Sequence, residues 1–214
     1  MAVTAHKARV YRGASAKDRV TSRRERLLEA ALELYGTSGY VATGVKDICR
    51  EAGLTDRYFY ESFSDGGELF TAAFDRATSE LLLLVAKKVS EVPPEPEAQV
   101  RAAIETFVRA LAEDPRKARL IFVEAASAGA EVERHMRASL RQFAVLVAAT
   151  ARPHLPAGMS ERVLKMGALS LVGAIERVII EWQDDELDAT IEQIIDFLVK
   201  LFLSAGASVG VPRR

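Results

Sequence analysis

No stretch of this chain alternates apolar and polar residues as a half-buried strand does. Alternating runs of Val, Ile and Thr, and the turn pairs that close hairpins, are nearly absent, whereas apolar residues recur at helical spacing along the whole length. From about Ala16 to Ser38, the set Val20, Leu27, Leu28, Ala31, Leu32, Leu34 and Tyr35 falls largely on one helical face, with Gly36 and Gly39 at its end. Short helices are expected at about 45–52, with Thr43 as N-cap, and at about 55–62, with Thr55 as N-cap; Gly53-Leu54 breaks the pattern between them. Asp65 followed by Glu68 marks a capping-box start for a long helix to about Val92, where VPPEPE ends it. Helical patterns follow at about 97–113, 115–127, 129–151, 160–183 and 188–205. The expectation is an all-α chain of three short or medium helices and a six-helix bundle, without internal repeats.

Length and composition set the outer limits. With 214 residues, nearly half of them apolar, the chain can bury a substantial core. A single cysteine, Cys49, excludes an internal disulfide framework and suits a reducing compartment. The most apolar run, Leu81 to Ala86, is far short of the roughly 18 residues that mark a bilayer span. The basic N-terminus lacks an apolar h-region, so a cytoplasmic location is expected. Charge is unevenly placed. Residues 1–26 carry eight Lys/Arg against Asp18 and Glu25, a balance of +6, and the remaining 188 residues carry −7. Such a split fits a chain of which one end meets a polyanion, or a solvated arm without a partner.

The two short helices around Gly53-Leu54 form a helix-turn-helix pattern. Val45, Ile48, Leu54, Phe59 and Phe63 stand at the spacings that pack such a pair, and Ala52 and Gly53 are small where the helices approach. With those residues inward, Asp56, Arg57, Tyr58, Tyr60 and Glu61 face outward. Arg57 suits a bidentate contact to guanine in the major groove, and the tyrosine hydroxyls suit phosphate oxygens. An ordinary helical hairpin with surface aromatics is the competing reading of the same spacing.

Residues 17–70 resemble the N-terminal domain of the TetR (tetracycline-repressor-like) family of transcription regulators. The resemblance rests on RRERLLEAALELYGTSGY, then TGVKDICREAGLT, then YFYESF and ELF, aligned without a gap. It implies a basic flexible arm at 1–15, a helix-turn-helix DNA-binding domain at 16–64 and a helical ligand-binding and dimerisation domain at 65–214. By the same resemblance, Thr43 and Thr55 cap their helices and touch phosphates, Asp56, Arg57 and Tyr58 read base edges, Tyr60 grips the backbone, and Lys46 joins the DNA-binding set. Three positions depart from the family pattern: Arg57 stands where glycine is usual, Gly66 where a lysine often opens helix four, and Ser62 where histidine or tyrosine is common. The basic arm offers compensation along the backbone or in the minor groove.

The resemblance further implies a homodimer that presents two recognition helices to successive major grooves of near-palindromic operator DNA. Gly167, Ser170 and Ala174 on helix eight, and Ile191, Ile194, Ile195, Leu198 and Phe202 on helix nine, are the expected dimerisation residues. A small, largely hydrophobic effector is expected inside the bundle, with Phe107, Phe122, His135, Met136, Phe143, Glu176 and Trp182 as candidate contacts. Glu176-Arg177 admits three readings: pocket, intersubunit ion pair or solvated edge. The expected function is therefore a ligand-responsive regulator, a repressor by preference; the alternative is a small-molecule-binding helical dimer that has lost specific operator binding. Enzyme chemistry finds no support. His6, His135 and His154 are scattered, and no P-loop, dinucleotide fingerprint or calcium-loop pattern occurs, so no metal or cofactor is expected.

Overall fold

The computed structural model describes residues 16–124, 128–155 and 158–209. Among the described residues there are nine α-helices and no strand. They are α1 (Ala16–Thr37), α2 (Val45–Ala52), α3 (Asp56–Tyr60), α4 (Gly66–Ser90), α5 (Pro96–Glu113), α6 (Pro115–Phe122), α7 (Ala130–Ala151), α8 (Glu161–Gln183) and α9 (Ile191–Val209), with a 3-10 turn at Arg152–His154 behind α7. The expected basic arm at 1–15 lies outside the described residues. No described helix is long and apolar enough to cross a membrane.

Local chemistry accounts for several of the helix starts. Asp65 accepts a hydrogen bond from the Glu68 amide at 2.8 Å, and the Glu68 carboxylate accepts one from the Ser64 amide at 2.7 Å, so α4 begins on a reciprocal cap. Pro96 and Pro115 occupy the first positions of α5 and α6, where a missing N–H costs nothing. The expected cap of α2 is one residue out. Gly44, not Thr43, is the N-cap, and Asp47 accepts from the Gly44 amide at 3.0 Å, while the Thr43 hydroxyl turns back to Gly39 O at 2.7 Å. Asp47, in the first turn, thus satisfies the amide of the N-cap residue, and no side-chain oxygen accepts from the first-turn amides as Thr43 was expected to do. Thr55 does occupy the N-cap position of α3, but its hydroxyl makes no cap hydrogen bond.

Gly36 is the last residue but one of α1, at the end where it was expected, and a side chain there would collide with α6. A Cβ on Gly36 would stand 2.5 Å from Arg116 Cβ. Glycine lets α6 settle on α1, and Arg116 then reaches Glu33 at 2.6 Å and Asp114 at 2.7 Å. Its guanidinium holds the Asp114 carboxyl below the usual carboxylate range.

One buried cluster runs from Leu27 on α1 through Phe59, Phe70 and Val108 to Val199 on α9, so the core crosses the expected division at 64/65. The cause is α4. Its first turns bury Leu69 and Phe70 beside Tyr35 and Tyr40, with ring centroids 5.3–5.4 Å apart, and its later turns bury Leu81 and Val85 in the bundle. One rigid rod thus touches both ends of the molecule.

Candidate nucleic-acid interface and effector cavity

α2 and α3 meet through Gly53, whose φ of +60° is the left-handed conformation that glycine adopts without strain. The Gly53 amide bonds Arg50 O at 3.1 Å and the Leu54 amide bonds Cys49 O at 2.9 Å, which closes α2. Phe59 is completely buried and Phe63 nearly so, with their rings 6.0 Å apart; Ile48 and Cys49 oppose them from α2. Burial pushes the Cys49 thiol up, and the Asp56 carboxylate that its S–H meets adds to the shift.

Three α1 arginines clasp this unit. The Arg23 guanidinium lies 4.3 Å over the Tyr58 ring and reaches Glu61 at 3.4 Å. Arg24 lies 4.3 Å over the Phe63 ring and donates to Ser62 O at 3.3 Å. Arg26 donates to Ala52 O and to Gly53 O at the α2–α3 turn. The basic count near the N-terminus therefore overstates what is left for a polyanion, because these three guanidinium groups are folded back onto the chain's own helices.

The expected DNA-facing residues separate accordingly. Asp56, Arg57 and Tyr60 are exposed, as are Lys46 and Thr55; Thr43 is half-buried and bonded to its own loop. Tyr58 is also half-buried under Arg23, which corrects the picture of a free outward ring. The Arg57 side chain is 83% exposed and its Nε donates to Glu61 at 3.0 Å. An exposed pair of this kind contributes about 0.3–0.5 kcal/mol, whereas a bidentate guanine contact is worth about 1–3 kcal/mol. Arg57 can therefore leave Glu61 for a base at small cost.

Behind the interface, the loop between α1 and α2 is held by a residue that sequence reasoning missed. Glu124 follows α6 with its side chain only 8% exposed; it accepts from the Tyr40 amide at 2.8 Å and from Arg119 Nε at 3.0 Å. Nothing in a linear reading marks it, since an isolated Glu beyond a helix end has no local signature. Glu124→Ala would leave the Tyr40 amide unpaired. It is expected to destabilise the protein by about 1.5–3 kcal/mol, the value of a hydrogen bond to a charged group, as measured by urea unfolding.

A cavity of about 680 Å³ opens among α4, α5, α7, α8 and α9, with Phe122 of α6 in its wall. Phe107 and Phe143 join Phe122 there, ring centroids 6.5 and 5.9 Å from Phe107. No described lining residue is Asp, Glu, Lys or Arg; the polar ones are Ser90, Gln99, Thr150 and His154. The four remaining candidates lie elsewhere. His135 pairs with Asp75 at 2.6 Å as a strut between α7 and α4, and its ring stands 6.2 Å from that of the buried Phe74. Met136 packs against the core cluster, and Trp182 does likewise while its Nε1 donates to Ala189 O at 3.0 Å. Glu176 is half-buried, and burial pushes its carboxyl up, but it is not in the cavity wall.

The expected dimerisation residues also divide. Ile194, Ile195 and Leu198 are buried in the chain's own core, where α9 packs along α5. Phe202 and Gly167 line the cavity. Ala174 and Ile191 are half-buried and Ser170 is exposed. Exposed on one face of α8 are Met166, Leu169 and Gly173 together with the expected Ser170, and Phe197 on α9 is 56% exposed. α9 carries apolar residues on two stripes, and periodicity does not say which of them meets α5.

Comparison with known proteins agrees with this arrangement. Residues 27–73 match the family described as bacterial regulatory proteins, tetR family. The HTH-type transcriptional activator FasR of Mycolicibacterium smegmatis is 33% identical over 100 residues, a match that spans 47% of this chain and 45% of that one, so just under half the relative's length. Among solved structures, the fatty acid degradation regulator FadR from Bacillus halodurans superposes with a TM-score of 0.75 at 15% identity, over 90% of this chain and 97% of that one. FadR from Bacillus subtilis in complex with stearoyl-CoA gives 0.72 at 14% identity, over 85% of this chain and 98% of that one. The family match thus runs over residues 27–73, from the second half of α1 into α4, and marks that segment as similar to bacterial regulatory proteins of the tetR family, within a fold shared with these structures over the remaining helices.

Proposed function

We propose that this chain is a ligand-responsive transcriptional regulator, acting as a homodimer on a near-palindromic operator, with repression as the direction of control. The observation that carries the reading is the exposed Arg57–Tyr60 edge of α3, presented by a helix-turn-helix whose other side is pinned by Phe59. Residues 16–64 form the DNA-binding unit, and residues 65–214 the effector and dimerisation unit. Two copies meet on the exposed face of Met166, Leu169, Ser170, Gly173 and Phe197, which sets the spacing of the two recognition helices.

The effector is an apolar-chain molecule in the 680 Å³ cavity, a size within the ordinary range for small-molecule sites. The stearoyl-CoA held by the Bacillus subtilis FadR neighbour supports this choice. Coupling runs through α6: Phe122 faces the cavity, and Glu124, two residues on, holds the Tyr40 amide in the loop that leads into α2. A ligand acts only so far as it prefers one placement of α6 over the other.

Fluorescence anisotropy with the duplex upstream of the chain's own gene tests the reading. The expected result is tight, sequence-selective binding that falls steeply with salt and is weakened by a long-chain effector. Absence of sequence preference at every salt concentration would instead establish a helical dimer without operator specificity. A promoter-reporter assay separates repression from activation, the role named for the FasR relative. Gly66 supplies a further check. A Cβ there would sit 3.7 Å from the Tyr35 hydroxyl oxygen, an ordinary contact, so lysine fits at the first position of α4. Gly66→Lys is expected to steepen the slope of log K against log salt by about 0.9 per subunit, one added phosphate contact, in the same assay.

A further inference from the structure

The polar lining residues of the cavity are not scattered. Ser90, Gln99, Thr150 and His154 all lie where α4 ends, α5 begins and α7 ends. Phe107 stands eight residues beyond Gln99 on the same helix, roughly 12 Å along its axis at 1.5 Å per residue, and it leads to Phe122 and Phe143. The cavity therefore has a polar end and an apolar end. At the polar end, His154 Nε2 is 3.2 Å from Gln99 Oε1. The amide oxygen only accepts, so Nε2 carries the proton; Nδ1 of the imidazole remains an acceptor and the Gln99 amide nitrogen remains a donor. Turning the amide over exchanges the two roles but leaves the same sum, one donor and one acceptor beside each other. Ser90 adds little, because its hydroxyl donates to Lys87 O at 2.7 Å.

One donor beside one acceptor matches a carboxylic acid, whose carbonyl oxygen accepts and whose hydroxyl donates. An ionised acid meets the same pair with the proton on the imidazole. A thioester or ester carbonyl satisfies only the donor and leaves the acceptor of this half-buried pair without a ligand partner. The phosphates of a coenzyme A headgroup would also need cations. None of the described lining residues is one; of the cations nearest the polar end, Arg152 is directed to Met159 O at 3.3 Å and to Glu161 at 2.8 Å, Lys88 is paired with Glu91 at 3.0 Å, and the exposed Lys87 stands outside the lining.

The geometry points to an unesterified long-chain carboxylic acid as the ligand of this cavity, its carboxyl group read by Gln99 and His154 and its tail directed toward Phe107 and Phe122. This assignment rests on the proposed effector role of the cavity. The test titrates the full chain, stripped of bound lipid, with hexadecanoic acid, its methyl ester and hexadecanoyl-CoA, each read by displacement of an environment-sensitive apolar dye. The acid is expected to bind at least roughly tenfold more tightly than the ester, the value of one hydrogen-bonding mismatch. In a Gln99→Leu/His154→Leu double variant that ratio falls to about one, while ester affinity stays within roughly threefold, since no ester contact beyond a single carbonyl hydrogen bond is lost. Equal affinity for acid and ester in the wild-type chain, or tighter binding of the coenzyme A thioester, overturns the head-group assignment and leaves the cavity as an effector site. No displacement by any of the three overturns the effector reading itself. The wild-type ratio decides the question even if the double variant does not fold.

Discussion

Phe59→Ala is expected to cost about 3–5 kcal/mol, the range for truncating a fully buried phenylalanine, and to release α3 before the rest of the chain unfolds. The side chain has no exposed surface, and it is the one residue of this five-residue helix that is buried. A helix of that length has no stability of its own, because nucleation is unfavourable and few hydrogen bonds follow it. Its conformation comes from the core beneath it. Deleting that ring leaves Phe63 and Tyr60 without the partner that stands 6.0 and 5.2 Å away. Hydrogen exchange should show loss of protection first at the amides of Tyr58, Phe59, Glu61, Ser62 and Phe63, which bond back to Thr55, Arg57 and Phe59, and thermal unfolding should report the global loss. Protection at these amides equal to that of the wild-type chain would contradict the pinning role.

Arg57→Ala combined with Tyr60→Ala should leave the fold intact and remove operator affinity. Both side chains are largely exposed, and the only ion pair lost, Arg57 with Glu61, contributes about 0.5 kcal/mol or less. A bidentate base contact is worth about 1–3 kcal/mol. Applied in both half-sites of a dimer, and with the phosphate contact of Tyr60 added, the loss amounts to roughly a hundredfold or more in affinity, at 1.4 kcal/mol per factor of ten. Two readouts separate the roles. Arg57→Ala alone should relax base preference within each half-site, whereas Tyr60→Ala should weaken all sequences alike. A double variant with undiminished selective binding, and with wild-type unfolding behaviour, would move the reading edge off α3.

Much of the helical outline was legible because its signals are local. Asp65 with Glu68, the prolines at 96 and 115, and the glycine at 53 each act within a few residues of the bond they make or remove. Phe59 and Phe63 could be placed inward for the same reason, since their spacing against Ile48 is set within one short motif. Thr43 shows where local reading falters: the Asp47 carboxylate accepts from the amide of its neighbour Gly44, which is the N-cap, while the Thr43 hydroxyl is bonded to Gly39 O.

The functional surfaces were harder to read because they depend on what each helix meets. Arg23, Arg24 and Arg26 look like a basic segment in the sequence, yet each is spent on a ring or a carbonyl of the α2–α3 unit. His135 is indistinguishable in sequence from a pocket histidine until Asp75 is found 2.6 Å away, sixty residues earlier in the chain. Gln99 and His154 are brought together only where α5 passes the end of α7.

By itself the sequence determined the all-helical class, the places where the helices begin and the helix-turn-helix with its buried Phe59, because periodicity and capping are encoded within a turn or two. Only the tertiary structure decided which apolar stripe of α9 is core, that Glu124 holds the loop before α2, and that the cavity has one polar end. Those facts are set by packing between residues distant in the chain, where burial and hydrogen bonding are shared between two partners and belong to neither alone.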